Sequence, residues 1–265
     1  MFLPFFKENR YIICGSFQNH IYMEAVMGNV VQGILRKLIQ AGMYIAFRPK
    51  ITFSNPEVMN SKEPIVFICN HMSHNDGALI ASVLHKKKPY FLIAKDWYDK
   101  KQFGVFLKAY GSIPVDRGGM DTSWYDACRK LIEAGISILI FPEGKTSKGE
   151  MNEFQPGFAV LAEKTGAKVV ECAHIGEYHT IFGERKRILV GDAYQLECPK
   201  EIRKSIYAKQ VAAEARTRIH EMKQQLLTEK MMGKKAVYHV ETIGGYDAPE
   251  VQSQSEAAVA EDAIN

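Results

Sequence analysis

The feature that most constrains the fold is a series of short, unbroken apolar runs, each followed by a polar or glycine-rich cluster. Pro64 to Cys69 reads PIVFIC, Tyr90 to Ala94 reads YFLIA, and Ile136 to Phe141 reads ISILIF. Runs of this length without alternation are typical of strands covered on both faces, as in a parallel sheet. Ile51 to Phe53, Lys168 to Ile175 and Arg187 to Val190 are further strand candidates, and Gly111 to Val115 leads as a strand into a glycine-rich loop. Helical segments fall between them, at Asp76–Leu84, Gln102–Tyr110, Trp124–Glu133 and Gly157–Lys164. A longer helix is expected over Ile202–Met231, with Ile206, Val211, Ala215, Ile219, Met222 and Leu226 as its apolar stripe. The alternation predicts an α/β fold: a central, largely parallel sheet flanked by helices.

Residues 1–48 read as a helical segment, 49–231 as the α/β domain and 232–265 as a flexible acidic tail. From Met23 to Phe47, apolar residues recur at three- and four-residue spacing, interrupted between Val26 and Phe47 only by the charges of Arg36 and Lys37. Such a stripe packs on a core or lies in a membrane interface, and periodicity alone leaves both open. No run reaches 18 uncharged apolar residues, so a spanning helix is not expected. The start lacks the pattern of a cleaved signal.

Composition narrows the function classes. Hydrophobic residues make up 46% and charged residues 24% of 265, which excludes a disordered chain. The five cysteines lack CxxC spacing, which argues against a disulfide framework or a zinc site and for a reducing compartment. The net charge is +4 although the last 21 residues carry five acids and no base, so the body is basic. A basic body suits an anionic partner or serves solubility. Nucleic acid is not expected as that partner, because the basic residues are dispersed and no recognition motif is present.

Three polar blocks follow strands. Asn70-His71-Met72-Ser73-His74-Asn75-Asp76 comes after the first buried run, where α/β folds place ligands. His71 and Asp76 stand five positions apart with a turn between, so the carboxylate can return onto the imidazole and fix its tautomer. A lone His-x4-Asp pair arises readily by chance, and from spacing alone a turn histidine beside a helix-capping Asp is the favoured reading. Arg117 stands in a glycine-rich loop, where it either clamps a phosphate or pairs with Asp116 or Asp121. Phe141-Pro142-Glu143-Gly144-Lys145-Thr146-Ser147 is either a polyol or phosphate pocket or a tight turn.

In this order the blocks resemble the glycerolipid acyltransferase family of the 1-acyl-sn-glycerol-3-phosphate acyltransferase (PlsC-like) type. The block N-H-x-S-x-x-D is met by Asn70, His71, Ser73 and Asp76, and G-x-I-x-x-x-R by Gly111, Ile113 and Arg117. The block F-P-E-G-T-R-S is met at Phe141, Pro142, Glu143, Gly144 and Ser147, with Lys145 and Thr146 in place of Thr and Arg. Val169 to Ile175 occupies the fourth block, with Glu171 near its expected proline, and Ile188 to Asp192 resembles the closing strand. The resemblance covers roughly residues 22 to 230.

It implies transfer of a fatty acyl group from acyl-CoA or an acyl carrier protein thioester to 1-acyl-sn-glycerol-3-phosphate, giving phosphatidic acid in phospholipid biosynthesis. His71, oriented by Asp76, would act as general base in a single displacement, with no Ser or Cys nucleophile. Arg117 would hold the acceptor phosphate. Glu143 and Gly144 would shape the acceptor pocket, with Ser73, Lys145 and Ser147 nearby. No metal or cofactor beyond the thioester co-substrate is implied. The expected partners are a lysophospholipid, the acyl donor and, through residues 1–48 as an amphipathic membrane-interface segment with the Met23–Phe47 helix as anchor, a membrane surface at the cytoplasmic inner face. Lys86, Lys87, Lys88, Arg185, Lys186 and Arg187 would meet headgroups or a carrier protein, or form a solvated face. The rearranged cations of the third block keep another lysolipid acceptor open. A non-catalytic lipid-binding protein of the same fold is the alternative from another class.

Overall fold

The computed structural model describes residues 33–100, 104, 107–108, 110–116, 122–147, 149–177 and 184–232, and the backbone of 242–243 and 246–247. Seven strands form one sheet: β1 Lys50–Phe53, β2 Ile65–Cys69, β3 Tyr90–Ala94, β4 Ser112–Val115, β5 Ile138–Ile140, β6 Lys168–Ile175 and β7 Arg187–Tyr194. Their spatial order is β1-β7-β6-β2-β5-β3-β4. Every neighbouring pair is parallel except β6 with β7. The expected α/β architecture is therefore present.

The continuous apolar runs find their reason here. All five residues of β2 are buried, because β2 lies between β6 and β5 and both of its faces are covered. Ile65, Phe67 and Cys69 join one apolar cluster, and Val66 and Ile68 join the other. On the second face pack helix α4 (Ser123–Glu133), α5 (Gly157–Thr165) and α6 (Lys204–Met232). On the first pack α1 (33–47) and α2 (Asp76–Val83). The single turn α3 (Lys95–Tyr98) follows β3 directly. Burial of this apolar surface, at roughly 25 cal/mol per Å², is the main stabilising term.

Two expectations shift. The buried stripe of α6 begins at Tyr207, not Ile206, which is exposed. Tyr207, Val211, Ala215 and Ile219 keep strict four-residue spacing, and Ile206 falls one position off that face. In the tail, Thr242–Ile243 and Tyr246–Asp247 form a short antiparallel pair, β8 and β9, where only flexible chain was expected. The remainder of 233–265, and residues 1–32 of the N-terminal segment, lie outside the described residues. Of the helix expected over Gln102–Tyr110, the four described residues are helical.

Candidate active site

The carboxyl ends of β6, β2 and β5 lie side by side, so the segments that leave them converge. His71 follows β2, Phe141 to Ser147 follow β5, and His174 stands near the end of β6. Parallel strand direction alone explains why blocks 70 residues apart in sequence meet at one edge.

His71 donates from Nδ1 to Asp76 Oδ2 at 2.9 Å. The same oxygen accepts the backbone N–H groups of Met72 at 2.6 Å and Ser73 at 2.8 Å. Asp76 opens α2, whose N-cap is Asn75, and its carboxylate reaches backward to close the preceding turn and grip the imidazole, so the pairing is present and the helix-capping role is not. Its side chain has 0% exposure and that of His71 has 12%. With Nδ1 occupied, Nε2 is the ring nitrogen left to meet a ligand. The ring stacks on Phe141, centroids 4.6 Å apart at 27°. Among the described residues, no hydroxyl or thiol is hydrogen-bonded to this ring. Burial pushes the nearby Cys69 thiol well up, with Cys172, Asp76 and Glu143 adding to it, so Cys69 stays protonated.

The third block holds the His71 backbone from both sides. Glu143 Oε1 accepts the His71 N–H at 2.7 Å. Ser147 donates to the His71 carbonyl from its N–H at 2.8 Å and from Oγ at 3.1 Å. Glu143 is buried, and its Oε2 accepts the Asn152 N–H at 2.8 Å and the Asn152 side-chain amide at 3.2 Å. Arg216 of α6 in turn donates to the carbonyls of Met151 and Asn152. Glu143 and Ser147 therefore brace the catalytic candidate, while Gly144 and Lys145 are exposed at the rim. Gly144 has φ +68, a conformation in which a side chain would be strained, which explains a glycine there. Ser73 Oγ accepts the Asn75 N–H at 3.4 Å inside the turn.

In the second block, Gly111 has φ +86, and a Cβ there would come within 2.7 Å of the Arg36 guanidinium. Arg36 sits over the rings of Tyr90 and Tyr110. Arg117 lies outside the described residues.

Sequence reasoning missed the residues behind the dyad. Asn70 donates from Nδ2 to the His174 carbonyl at 3.1 Å and accepts the His174 N–H at 2.8 Å. Its amide thus extends the β2–β6 ladder by one side-chain rung. Lys186, expected on a basic surface, is fully buried, and its Nζ donates to the Gly176 carbonyl. Its neighbour Arg187 is half-buried beside Glu229, and Arg185 is exposed, bonded to the Arg48 carbonyl. Exposure changes from residue to residue through Arg185-Lys186-Arg187, where the chain enters β7, and a run of three bases conceals this. Asn152 carried no motif signal at all.

A family model described as Acyltransferase matches residues 50–175. The chloroplastic 1-acyl-sn-glycerol-3-phosphate acyltransferase of Brassica napus is 32% identical over 123 residues, 44% of this chain and 34% of that protein. The 1-acyl-sn-glycerol-3-phosphate acyltransferase of Bacillus subtilis is 25% identical over 132 residues, 50% of this chain and 66% of that protein. The chain thus spans about a third of the length of the chloroplastic relatives it matches. The crystal structure of PlsC from Thermotoga maritima superposes with a TM-score of 0.55 at 16% identity, covering 80% of this chain and 90% of that one. That likeness concerns the fold. Residues 50–175 thus match the Acyltransferase family model, and the ordered blocks and the site they build are similar to those of the PlsC-like glycerolipid acyltransferases.

Proposed function

We propose that the protein is an O-acyltransferase that moves a fatty acyl group from acyl-CoA or an acyl carrier protein thioester to 1-acyl-sn-glycerol-3-phosphate. The observation that carries this reading is the His71–Asp76 pair at the carboxyl edge of the sheet, with the imidazole clamped at Nδ1 and its ring bonded to no hydroxyl or thiol among the described residues. An imidazole oriented in this way is a general base without a protein nucleophile beside it. His71 Nε2 takes the proton of the acceptor's free glycerol hydroxyl as its oxygen attacks the thioester carbonyl. A C–O bond forms, the tetrahedral intermediate collapses, and the C–S bond breaks. The proton on Nε2 passes to the leaving thiolate, so protons balance and His71 is restored. Asp76 keeps Nδ1 protonated and stabilises the imidazolium that forms in between. Glu143 and Ser147 hold the His71 main chain in place. Arg117 and Lys145 are the cations assigned to the acceptor phosphate.

The acceptor is a lipid, and α1 supports work at a membrane surface. Leu35, Ile39, Met43 and Phe47 pack toward the core. Ile34, Leu38 and Ile45, each more than half exposed, form a second apolar stripe on the other side. No helix of the described residues is long and apolar enough to cross a membrane. The proposed location is therefore the inner membrane face, with the enzyme lying on one leaflet.

The test is incubation with lysophosphatidic acid and a labelled acyl-CoA or acyl-carrier thioester, alongside His71→Ala. Labelled phosphatidic acid should form with the wild type and fall by about 10²–10⁴-fold in the variant. Activity that survives the substitution overturns His71 as base. Product only with other lysolipids reassigns the acceptor, and silence across the panel favours a lipid-binding protein.

A further inference from the structure

Behind the dyad stands a second imidazole for which the mechanism above has no use. His174, on β6, is completely buried. Its backbone is held by the Asn70 amide, and its ring is turned back toward the site. Nε2 lies 3.0 Å from the Asn70 carbonyl oxygen and 3.5 Å from Asp76 Oδ1. Asp76 thus has an imidazole at each oxygen: His71 at Oδ2 and His174 at Oδ1.

The tautomer follows from the partners. A carbonyl oxygen and a carboxylate oxygen both only accept, so the nitrogen facing them carries the hydrogen. His174 Nδ1 is buried with no hydrogen-bond partner among the described residues. A hydrogen there would be an orphaned donor in an apolar interior, which costs about 1–3 kcal/mol. His174 accordingly carries its hydrogen on Nε2.

We propose that His174 is a positioning residue of this site. Its ring, bonded through Nε2–H to the Asn70 carbonyl and 3.5 Å from Asp76 Oδ1, backs the carboxylate and helps to keep Oδ2 presented to His71 Nδ1. The argument is geometric. Asp76 Oδ2 already receives three donors, two of them from the turn backbone. Those bonds hold Oδ2, and the imidazole 3.5 Å behind Oδ1 opposes the turn of the carboxylate that would break them. A rotation of the carboxylate about its Cβ–Cγ bond would move Oδ2 off the imidazole. The charged and titratable groups facing this cluster are His71 before α2, Asp76 at its first residue, Cys69 on β2, Glu143 after β5 and Lys186 before β7, the last two braced by backbone groups. This role rests on the dyad's geometry, and the proposed acyl transfer is a separate claim.

Nitrogen NMR of the full-length protein labelled at histidine tests it without an activity assay. His71→Ala and His174→Gln assign the two rings by difference. In the wild type, His174 should carry its proton on Nε2 and His71 on Nδ1. His174→Leu should convert the His71 signal to a mixture of tautomers, and His174→Gln, whose side-chain N–H occupies the place of Nε2–H, should restore a single form. A wild-type His174 protonated on Nδ1 overturns the proposal. So does a folded His174→Leu protein with an unchanged His71 signal, or a folded His174→Gln protein with a mixed one. Should His174→Leu fail to fold, the wild-type tautomer and His174→Gln still decide. In acyl-transfer assays, kcat should fall by about ten- to a hundredfold in His174→Leu with KM nearly unchanged. Absence of transfer in every form counts against the proposed reaction and leaves the NMR result standing.

Discussion

At the scale of single residues, the molecule separates groups that meet a ligand from groups that hold them. His71 exposes one nitrogen, and nearly every other polar atom near it is engaged inward. Lys186 shows how far this goes, because a base in a run of bases is driven fully inside. Burial pulls its pKa from 10.5 down to about 8, although the charges of Asp76, Glu184 and Glu177 pull it up. The folded value lies below the unfolded one. Below about 8 both states hold the proton, and the fold bears the full cost of a buried charge. Between about 8 and 10.5 the unfolded chain holds more protons, so this contribution to stability rises with pH. Lys186→Met removes it. Its denaturation midpoint relative to wild type should therefore be most favourable below that window and decline as pH rises through it. A difference that stays constant with pH would count against this account.

At the scale of elements, α6 is bound to the sheet by a buried ionic cluster. Glu171 of β6 accepts from Arg218 Nη2 at 2.8 Å and Nε at 3.0 Å, and from the Tyr194 hydroxyl at 2.6 Å. Burial acts to lower the Arg218 pKa, and the Glu171 carboxylate outweighs it and holds the guanidinium charged. Glu171 departs from the family pattern in sequence, and its reason is this arginine across the interface. β7 accommodates the cluster with an irregularity: opposite Val170 to Cys172, it advances from Ala193 to Val190, one residue more. Arg218→Leu leaves a buried carboxylate unpaired and should cost about 3–5 kcal/mol. The double variant Glu171→Leu with Arg218→Leu should regain most of that loss. Urea denaturation of the wild type, both single variants and the double variant measures the coupling. Equal destabilisation by the single and double variants would show that the pair is not the source.

At the scale of the whole molecule, α1 has one face on the core and another outside it. Phe47 and Lys186 are joined through their backbones, which ties the end of α1 to the start of β7. The helix is thereby fixed to the α/β body while its second stripe stays uncovered by the described residues. Replacing Ile34, Leu38 and Ile45 together with Gln should weaken binding to phosphatidylglycerol-containing vesicles by at least about tenfold, since burying one such side chain is worth about 1.5–3 kcal/mol. The thermal midpoint should barely move, as these side chains leave the core untouched. Vesicle flotation checks the first outcome and calorimetry the second. Unchanged flotation would exclude this stripe as the lipid-facing surface.

What the residues alone determined is what local physics determines. Continuous apolar runs require a sheet covered on both faces, and their alternation with helices requires parallel crossovers, so the architecture was legible before any coordinates. The dyad was legible as well, because His71 and Asp76 belong to one turn and their meeting depends on five residues of chain. Contacts across long separations were not. Strand order decides that β6 lies against β2, and with it that Asn70 meets His174 104 positions away. The same order decides that Glu143 supports the His71 backbone and that Lys186 faces inward. Nothing in local spacing encodes a partner on another strand, and only the packed sheet brings these groups within hydrogen-bond reach.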